Sequence, residues 1–377
     1  MGIRLIHTSD WQIGKVFRFL DGATMGVLQE ARLAAITRIG AHAQAFGAGH
    51  VLVAGDVYDM QALSARSLNQ PLERMRAFPT VTWHLIPANH DPHRPNGLWD
   101  QLVRRGLPAN VQAHLARAPV ALEAGAALLP APLFHRHTLD DPTAWMDGAE
   151  TADGVLRIGL AHGSVTGFGP EGVDQPNYIS PLRPQTAGLA YLALGDWHRQ
   201  QRIGPRCWYS GTPEPDAFDV EEGKALAVEI DGPDAPPRVE PFDTGGFRWV
   251  SLSAQLNARA DIDHLAARLR ALGADLDRVL VHLEVEGALS LKDRSAFEAE
   301  IVDGVSAALC VLRVDQRRLF PSPTAEDLDR IDRGGFVRAA AEELRRLGAA
   351  GGAEGALAAE ALQRLYVEHM KLEAGRR

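Results

Sequence analysis

Two stretches decide how this chain folds: IRLIHTSDWQ at residues 3–12 and HVLVAGDVYD at residues 50–59. Each is a mostly apolar run that stops abruptly at polar residues, Thr8-Ser9-Asp10 in the first and Gly55-Asp56 in the second. A short run bounded in this way reads as a buried strand. Between them, Leu28, Ile36, Ile39 and Ala43 share one helical face within 27–46, and Gly47 and Gly49 act as stop signals. The first 60 residues therefore read as a βαβ unit, and the chain as an α/β protein.

Working outward, further short strands are expected at 81–86, 157–161 and 191–194, each ending in polar residues. In α/β sheets such ends are where loops gather side chains from distant parts of a sequence. The stretch DGPDAPPRVEPFDTGG at 231–246 reads as an edge hairpin or a linker. Beyond it the pattern restarts as strand 249–252, helix 262–272, strand 279–285, helix 294–302 and strand 308–314, a small α+β domain closed by Pro321 and Pro323. Two helical stretches follow, about 325–347 and 355–373. In the first, Phe336, Ala340, Leu344 and Leu347 fall on one face; in the second, Leu362, Leu365, Tyr366 and His369 do. Such faces pack on the parent domain or dock a partner helix.

A chain of 377 residues has room for a large domain and a smaller one, and 46% hydrophobic residues suffice for a sizeable core. The net charge of −9 speaks against a broad DNA-coating basic face, while leaving room for a local groove. Part of that acid is available to hold cations. Cys207 and Cys310 lie far apart and in no CxxC spacing, so neither a disulfide scaffold nor a thiolate metal site is expected. Two such cysteines fit a reducing compartment. MGIRLIHTSD carries no secretory leader pattern and no run of about 18 apolar residues occurs, so a cytoplasmic protein without a transmembrane helix is expected.

Five segments at the expected strand ends carry the chemistry: Asp10-Trp11-Gln12, Gly55-Asp56-Val57-Tyr58-Asp59, Asn89-His90-Asp91, His162-Gly163 and Gly195-Asp196-Trp197-His198. Each alone is weak, since an Asp after a strand is usually a turn residue. Together they supply carboxylates, an amide and imidazoles, a donor set suited to Mn2+, Fe or Zn2+ rather than Ca2+. Hydrolysis of an anionic phosphodiester needs positive charge and a deprotonated water near neutral pH. Two cations about 3.5–4 Å apart supply both.

The order Asp, GDxxD, NHD, HG, GxxH resembles the calcineurin-like metallophosphoesterases. Within them, IHTSDWQIGK (6–15) and YSGTPEPDAF (209–218) resemble the SbcD/YhaO-type DNA-repair exonucleases. The resemblance covers about residues 1–230, and the small domain after it resembles their capping domain. It implies a β-sandwich flanked by helices, with a catalytic domain over 1–245, a capping domain over 246–322 and a helical partner-docking segment over 323–377. It also implies residue roles. Asp10 and His198 would bind the first metal, Asp56 would bridge, and Asn89 and His162 would bind the second. His90 would be the general acid or stabilise the transition state, with Asp91 orienting its imidazole. Two positions depart from the family's pattern, Gln12 and Asp196 each standing where a histidine is usual. Both would make the site richer in oxygen donors and favour Mn2+, or Mg2+, over Zn2+. The function so implied is a DNA exo- or endonuclease working with an SbcC-like coiled-coil ATPase. A small-substrate phosphoesterase and a catalytically weakened structural adaptor are the alternatives. DNA, the ATPase and a second copy of the chain are the expected partners.

Other residues read two ways. Trp11, Trp99, Trp197 and Trp208 either stack bases or pack beneath the loops. Tyr209–Pro213 reads as a tight loop beside the site, and His135 and His137 as a polar loop. Arg313, Arg317 and Arg318, with Lys292 and Arg294, form either a phosphate-contacting edge or an ordinary solvated one.

Overall fold

The computed structural model describes residues 2–165, 176–220, 222–322, 335–350 and 352–374. The chain divides into two compact units, Met1–Arg248 and Trp249–Arg377.

The first unit contains strands β1 (Ile3–Thr8), β2 (His50–Val53), β3 (Thr82–Leu85), β4 (Val111–Ala113), β5 (Val120–Leu122), β6 (Ala126–Ala131), β7 (Leu156–His162), β8 (Ser164–Val165), β9 (Tyr178–Ile179), β10 (Tyr191–Gly195), β11 (Gln201–Gly204), β12 (Cys207–Tyr209), β13 (Lys224–Ile230) and β14 (Arg238–Asp243). Its helices are α1 (Gly22–Phe46), α2 (Ala65–Arg76), α3 (Leu98–Arg105) and the single turn α4 (Arg183–Thr186). One six-stranded sheet runs β14-β13-β1-β2-β3-β4 and the other β11-β12-β10-β7-β6-β5. Leu5, Leu52 and Ile86 from the first sheet share a core with Leu128, Ile158, Leu160 and Tyr191 from the second. Ile36 and Ile39 of α1, Leu72 of α2 and Trp99 of α3 cover the outer face of the first sheet. The architecture is thus an α/β sandwich of two sheets flanked by helices.

Helix α1 begins five residues before the expected Val27. The Asp21 carboxylate accepts the amides of Ala23 and Thr24, starting the helix where no apolar periodicity marks it. Gly47, at φ 72°, ends it as expected. Residues 231–246 turn back as a hairpin, β14 pairing with β13 at the edge of the first sheet. Of the four tryptophans considered for base stacking, Trp11 and Trp99 are buried in the core, where packing is their role.

His7 ties the two sheets together. The Leu194 carbonyl can only accept, so Nε2–H of His7 donates to it (3.0 Å) and Nδ1 accepts from the Tyr191 hydroxyl (2.9 Å). This needs a neutral ring, and burial lowers its pKa to about 3. Burial likewise lowers His84 to about 2 and His114 to about 4; the two are joined by a ring–ring hydrogen bond of 3.0 Å. These groups titrate near 6.5 in the unfolded chain, so their contribution to stability is complete above that pH and is lost as pH falls towards about 3. Urea unfolding followed from pH 7 to pH 4 is therefore expected to show a steadily falling midpoint. His7→Leu is expected to cost about 1–3 kcal/mol at pH 7, through the partners it strands, and to make that fall shallower. An equal slope in both proteins would refute the assignment.

The second unit contains β15 (Arg248–Leu256), α5 (Arg259–Arg270), β16 (Val279–Leu289), α6 (Leu291–Phe297), β17 (Val311–Pro321), α7 (Phe336–Ala349) and α8 (Gly352–Ala374). Its sheet runs β15-β16-β17, with β16 and β17 parallel. Ile262, Leu265 and Leu269 of α5 pack with Val281, Leu283 and Phe297 in one α+β core. The first ten residues of the helix expected at 325–347 lie outside the described residues. In the remainder Phe336 is 86% exposed and Ala340 is exposed, whereas Ala341 is buried, so the inward face is offset from the one expected. In α8, Leu362 and Tyr366 are buried as their spacing suggested. Arg313, Arg317 and Arg318 are exposed on β17, with Arg317 ion-paired to Asp315. Among the described residues, no helix is long and apolar enough to cross a membrane.

Candidate metal centre

The site stands where both sheets end. β1, β2 and β3 run parallel in one sheet, and β7 and β10 in the other, and the five motifs follow their carboxyl ends. The sheets approach closely there because two positions lack side chains. A Cβ on Gly195 would lie 2.1 Å from the Ala54 carbonyl oxygen, and one on Gly55, at φ +85°, only 2.7 Å from His162 Nδ1. Through this gap His162 Nδ1–H donates to the Ala54 carbonyl at 2.8 Å, leaving Nε2 facing the site.

The seven expected donor side chains converge. His162 Nε2 is 3.7 Å from Asp56 Oδ2 and 3.6 Å from Asp196 Oδ1. His198 Nε2 is 3.7 Å from Asp10 Oδ1. Gln12 Nε2 donates to Asp56 Oδ2 at 2.8 Å, and Asn89 Nδ2 to Asp196 Oδ1 at 3.4 Å. Asp10, Asp56 and His162 are all buried, and one ligand atom from each lies within 4.8 Å of the others, a group able to hold a metal ion. Loop backbones are bent to make this fit: Asp10 (φ 54°), Gln12 (φ 50°), Asp56 (φ 52°) and Asp196 (φ 109°) all have positive φ, a conformation that surrounding structure must enforce.

The donor chemistry fits a cation. Asp10 Oδ1, Gln12 Oε1, Asn89 Oδ1 and His162 Nε2 are buried atoms without a hydrogen-bond partner, and all four belong to this cluster. Leaving such groups unpaired costs about 1–3 kcal/mol each. Among the described residues, neither buried carboxylate, Asp10 or Asp56, has a lysine or arginine within ion-pair distance. Burial, joined by repulsion from Asp10, raises Asp56 above the usual carboxylate range even though His162 opposes the shift. Burial alone would lower His162; Asp56, Asp10 and Asp196 outweigh it and raise the ring to about 9. His198 likewise rises to about 9, burial being outweighed by its bond to Asp216 and by Asp10. The pocket favours positive charge.

Two neighbours differ from expectation. Asp91 does not touch His90: its carboxylate accepts the amides of Ala88 (2.8 Å) and Tyr58 (3.1 Å), and burial followed by Asp56 repulsion raises it to about 8. It caps the loop. The His90 ring is held instead by the Asp59 main-chain carbonyl, which accepts from Nδ1 at 3.1 Å, while the His90 amide donates to Asp56 Oδ1 at 3.0 Å. Other supports receive no role from the sequence. Ser9 donates to Asp10 Oδ2 at 2.5 Å and Ser164 to Asp196 Oδ2 at 2.7 Å. Asp216 reaches His198, and the Tyr209–Phe218 loop joins the site through Thr212, whose hydroxyl donates to the Asp10 carbonyl at 2.9 Å.

Fold and site thus define an α/β protein with a buried Asp/His cluster able to bind metal. No family model matches the chain, and no curated protein does. Among solved structures, it is similar to the crystal structure of TT1561 of Thermus thermophilus, at 12% identity and a TM-score of 0.38, over 65% of this chain and 100% of that one. The chemistry of the site rests on the chain's own geometry.

Proposed function

We propose that the protein is a phosphodiesterase that works with two divalent cations, Mn2+ before Mg2+ or Fe, and that its substrate is DNA. The observation that carries this reading is the set of four unpartnered buried donors, drawn from three separate strand ends and aimed into one pocket. Asp10 and His198 would hold one cation and Asn89 and His162 the other, with Asp56 between them and Gln12 Oε1 and Asp196 Oδ1 as further oxygen donors. Bound cations would neutralise the diester and make a water acidic enough to attack near neutral pH. His90, 33% exposed and anchored through Nδ1, is placed to act through Nε2 on the leaving alkoxide, as general acid or as a stabiliser of the transition state. The likeness of residues 6–15 and 209–218 to the SbcD/YhaO-type exonucleases supports DNA repair, an SbcC-like ATPase as partner and a cytoplasmic location. In this reading residues 1–245 catalyse, 246–322 cap the substrate and 323–377 dock the ATPase.

The test offers purified protein with Mn2+ to linear duplex DNA, single-stranded DNA and a small chromogenic diester. DNA cleavage supports the reading. Cleavage of the small diester alone makes it a small-substrate enzyme, and metal binding without turnover a structural adaptor. Binding itself has a thermal signature: Mn2+ at a hundredfold excess over its Kd is expected to stabilise the fold by about 2.7 kcal/mol per site, reversed by a chelator. An unchanged melting temperature at millimolar Mn2+ would sink the proposal.

A further inference from the structure

We infer that Asp216 is a positioning residue of this metal centre, acting through His198; the inference rests on the function proposed above. The Asp216 side chain is fully buried in the loop that follows β12, and its two oxygens are divided between two tasks. Oδ1 accepts from His198 Nδ1–H at 2.8 Å. Oδ2 is ion-paired with Lys15 and lies 3.9 Å from Arg32 Nη2.

The first contact decides what His198 can do. A carboxylate can only accept, so Nδ1 must carry the proton and Nε2 is left to face Asp10 Oδ1, 3.7 Å away. A histidine that binds metal through one nitrogen needs the other fixed in this way, and removing such a partner typically weakens metal affinity about 10–100-fold. The second contact decides where Asp216 stands. Arg32, itself buried, donates to the Trp11 carbonyl at 2.9 Å and the Pro215 carbonyl at 3.3 Å, so one guanidinium locks the loop bearing Asp216 to the loop bearing Asp10 and Gln12. Lys15 comes from that same loop, five residues after Asp10. The relative placement of Asp10 and His198 is therefore set by a buried carboxylate and two cations, none of which faces the metal pocket as a ligand. Arg199 and Asp219 offer a contrast nearby: their ion pair is exposed and reaches no member of the cluster.

Titration calorimetry with Mn2+ on the full chain tests this. Wild type is expected to show two binding events. Asp216→Asn keeps the shape and removes the charge, and is expected to weaken one event about 10–100-fold and leave the other unchanged. His198→Asn should weaken the same event, and the double variant should lose no more than His198→Asn alone, because Asp216 acts only through that ring. Asp219→Asn should bind as wild type does. Should Asp216→Asn fail to fold, Lys15→Met removes the carboxylate's partner at a position 25% exposed and should weaken the same event by a smaller factor. Absence of Mn2+ binding by wild type would refute the proposed function. Two normal events in wild type with unchanged affinity in Asp216→Asn (or, if that variant is unfolded, in Lys15→Met), or additive losses in the double variant, would refute the role of Asp216 alone.

Discussion

Asp56→Asn is expected to abolish metal-dependent hydrolysis and, at the same time, to raise the melting temperature of the metal-free protein. The first half follows from its place. Asp56 is a buried carboxylate that lies close to two imidazoles at once, His162 at 3.7 Å and His90 at 3.9 Å, and a neutral amide cannot hold two cations together. A loss of about a thousandfold in kcat, or about 4 kcal/mol of transition-state stabilisation, is the expected scale. The second half follows from the sign of its charge. Burial and Asp10 make the ionised form unfavourable in the folded protein, so this group opposes folding at every pH where the unfolded chain ionises. Asparagine removes that penalty, tolerates the positive φ of 52° better than most residues, and still accepts the His90 amide. The Gln12 amide, whose oxygen has no partner, need only flip so that this oxygen accepts from the new amide. Asp56→Ala would lose the same activity without the stability gain. Thermal unfolding at pH 8 in chelator, beside a cleavage assay in Mn2+, checks both halves. A melting temperature lowered in Asp56→Asn would show that the cluster is structural rather than a site held ready for cations.

His90→Ala should divide the same two properties the other way. The ring is part-exposed, packs no core and is expected to bind no cation, so Mn2+ binding and stability should stay near wild type while kcat falls about 10^2 to 10^4-fold. Asp91→Ala is the instructive partner, since the sequence pairs the two residues and the structure separates them. Removing Asp91 strands the buried amides of Ala88 and Tyr58, and is expected to cost about 1–3 kcal/mol of stability for each. If instead Asp91→Ala copied His90→Ala, with a normal melting temperature and low kcat, the loop-capping role given to it here would be wrong.

Legibility in the sequence followed the range of each physical effect. Apolar runs ending in polar residues marked β1, β2, β7 and β10 because burial on both faces is written locally, residue by residue. Helices α2 and α3 escaped notice: one contains Pro71, and the other is only eight residues long, too short to establish a period. Trp11 beside Asp10 could have faced ligand or core, and its packing in the first sheet's outer core settled the matter. Asp216 stands inside the quoted YSGTPEPDAF stretch, but its role was not legible, because its partner His198 lies 18 residues away across a loop whose path no periodicity records.

Residue chemistry and apolar patterning put five donor-bearing segments at the ends of strands, and the resemblance of their order to a known family named the individual donors, since both are properties of the chain itself. Only the folded molecule decided that those ends meet. The meeting depends on how two sheets stack, on glycines at 55 and 195 that let them touch, and on buried ions such as Arg32 that hold one loop against another. Distances between loops sum contributions from the whole packed unit, and no local pattern carries that sum.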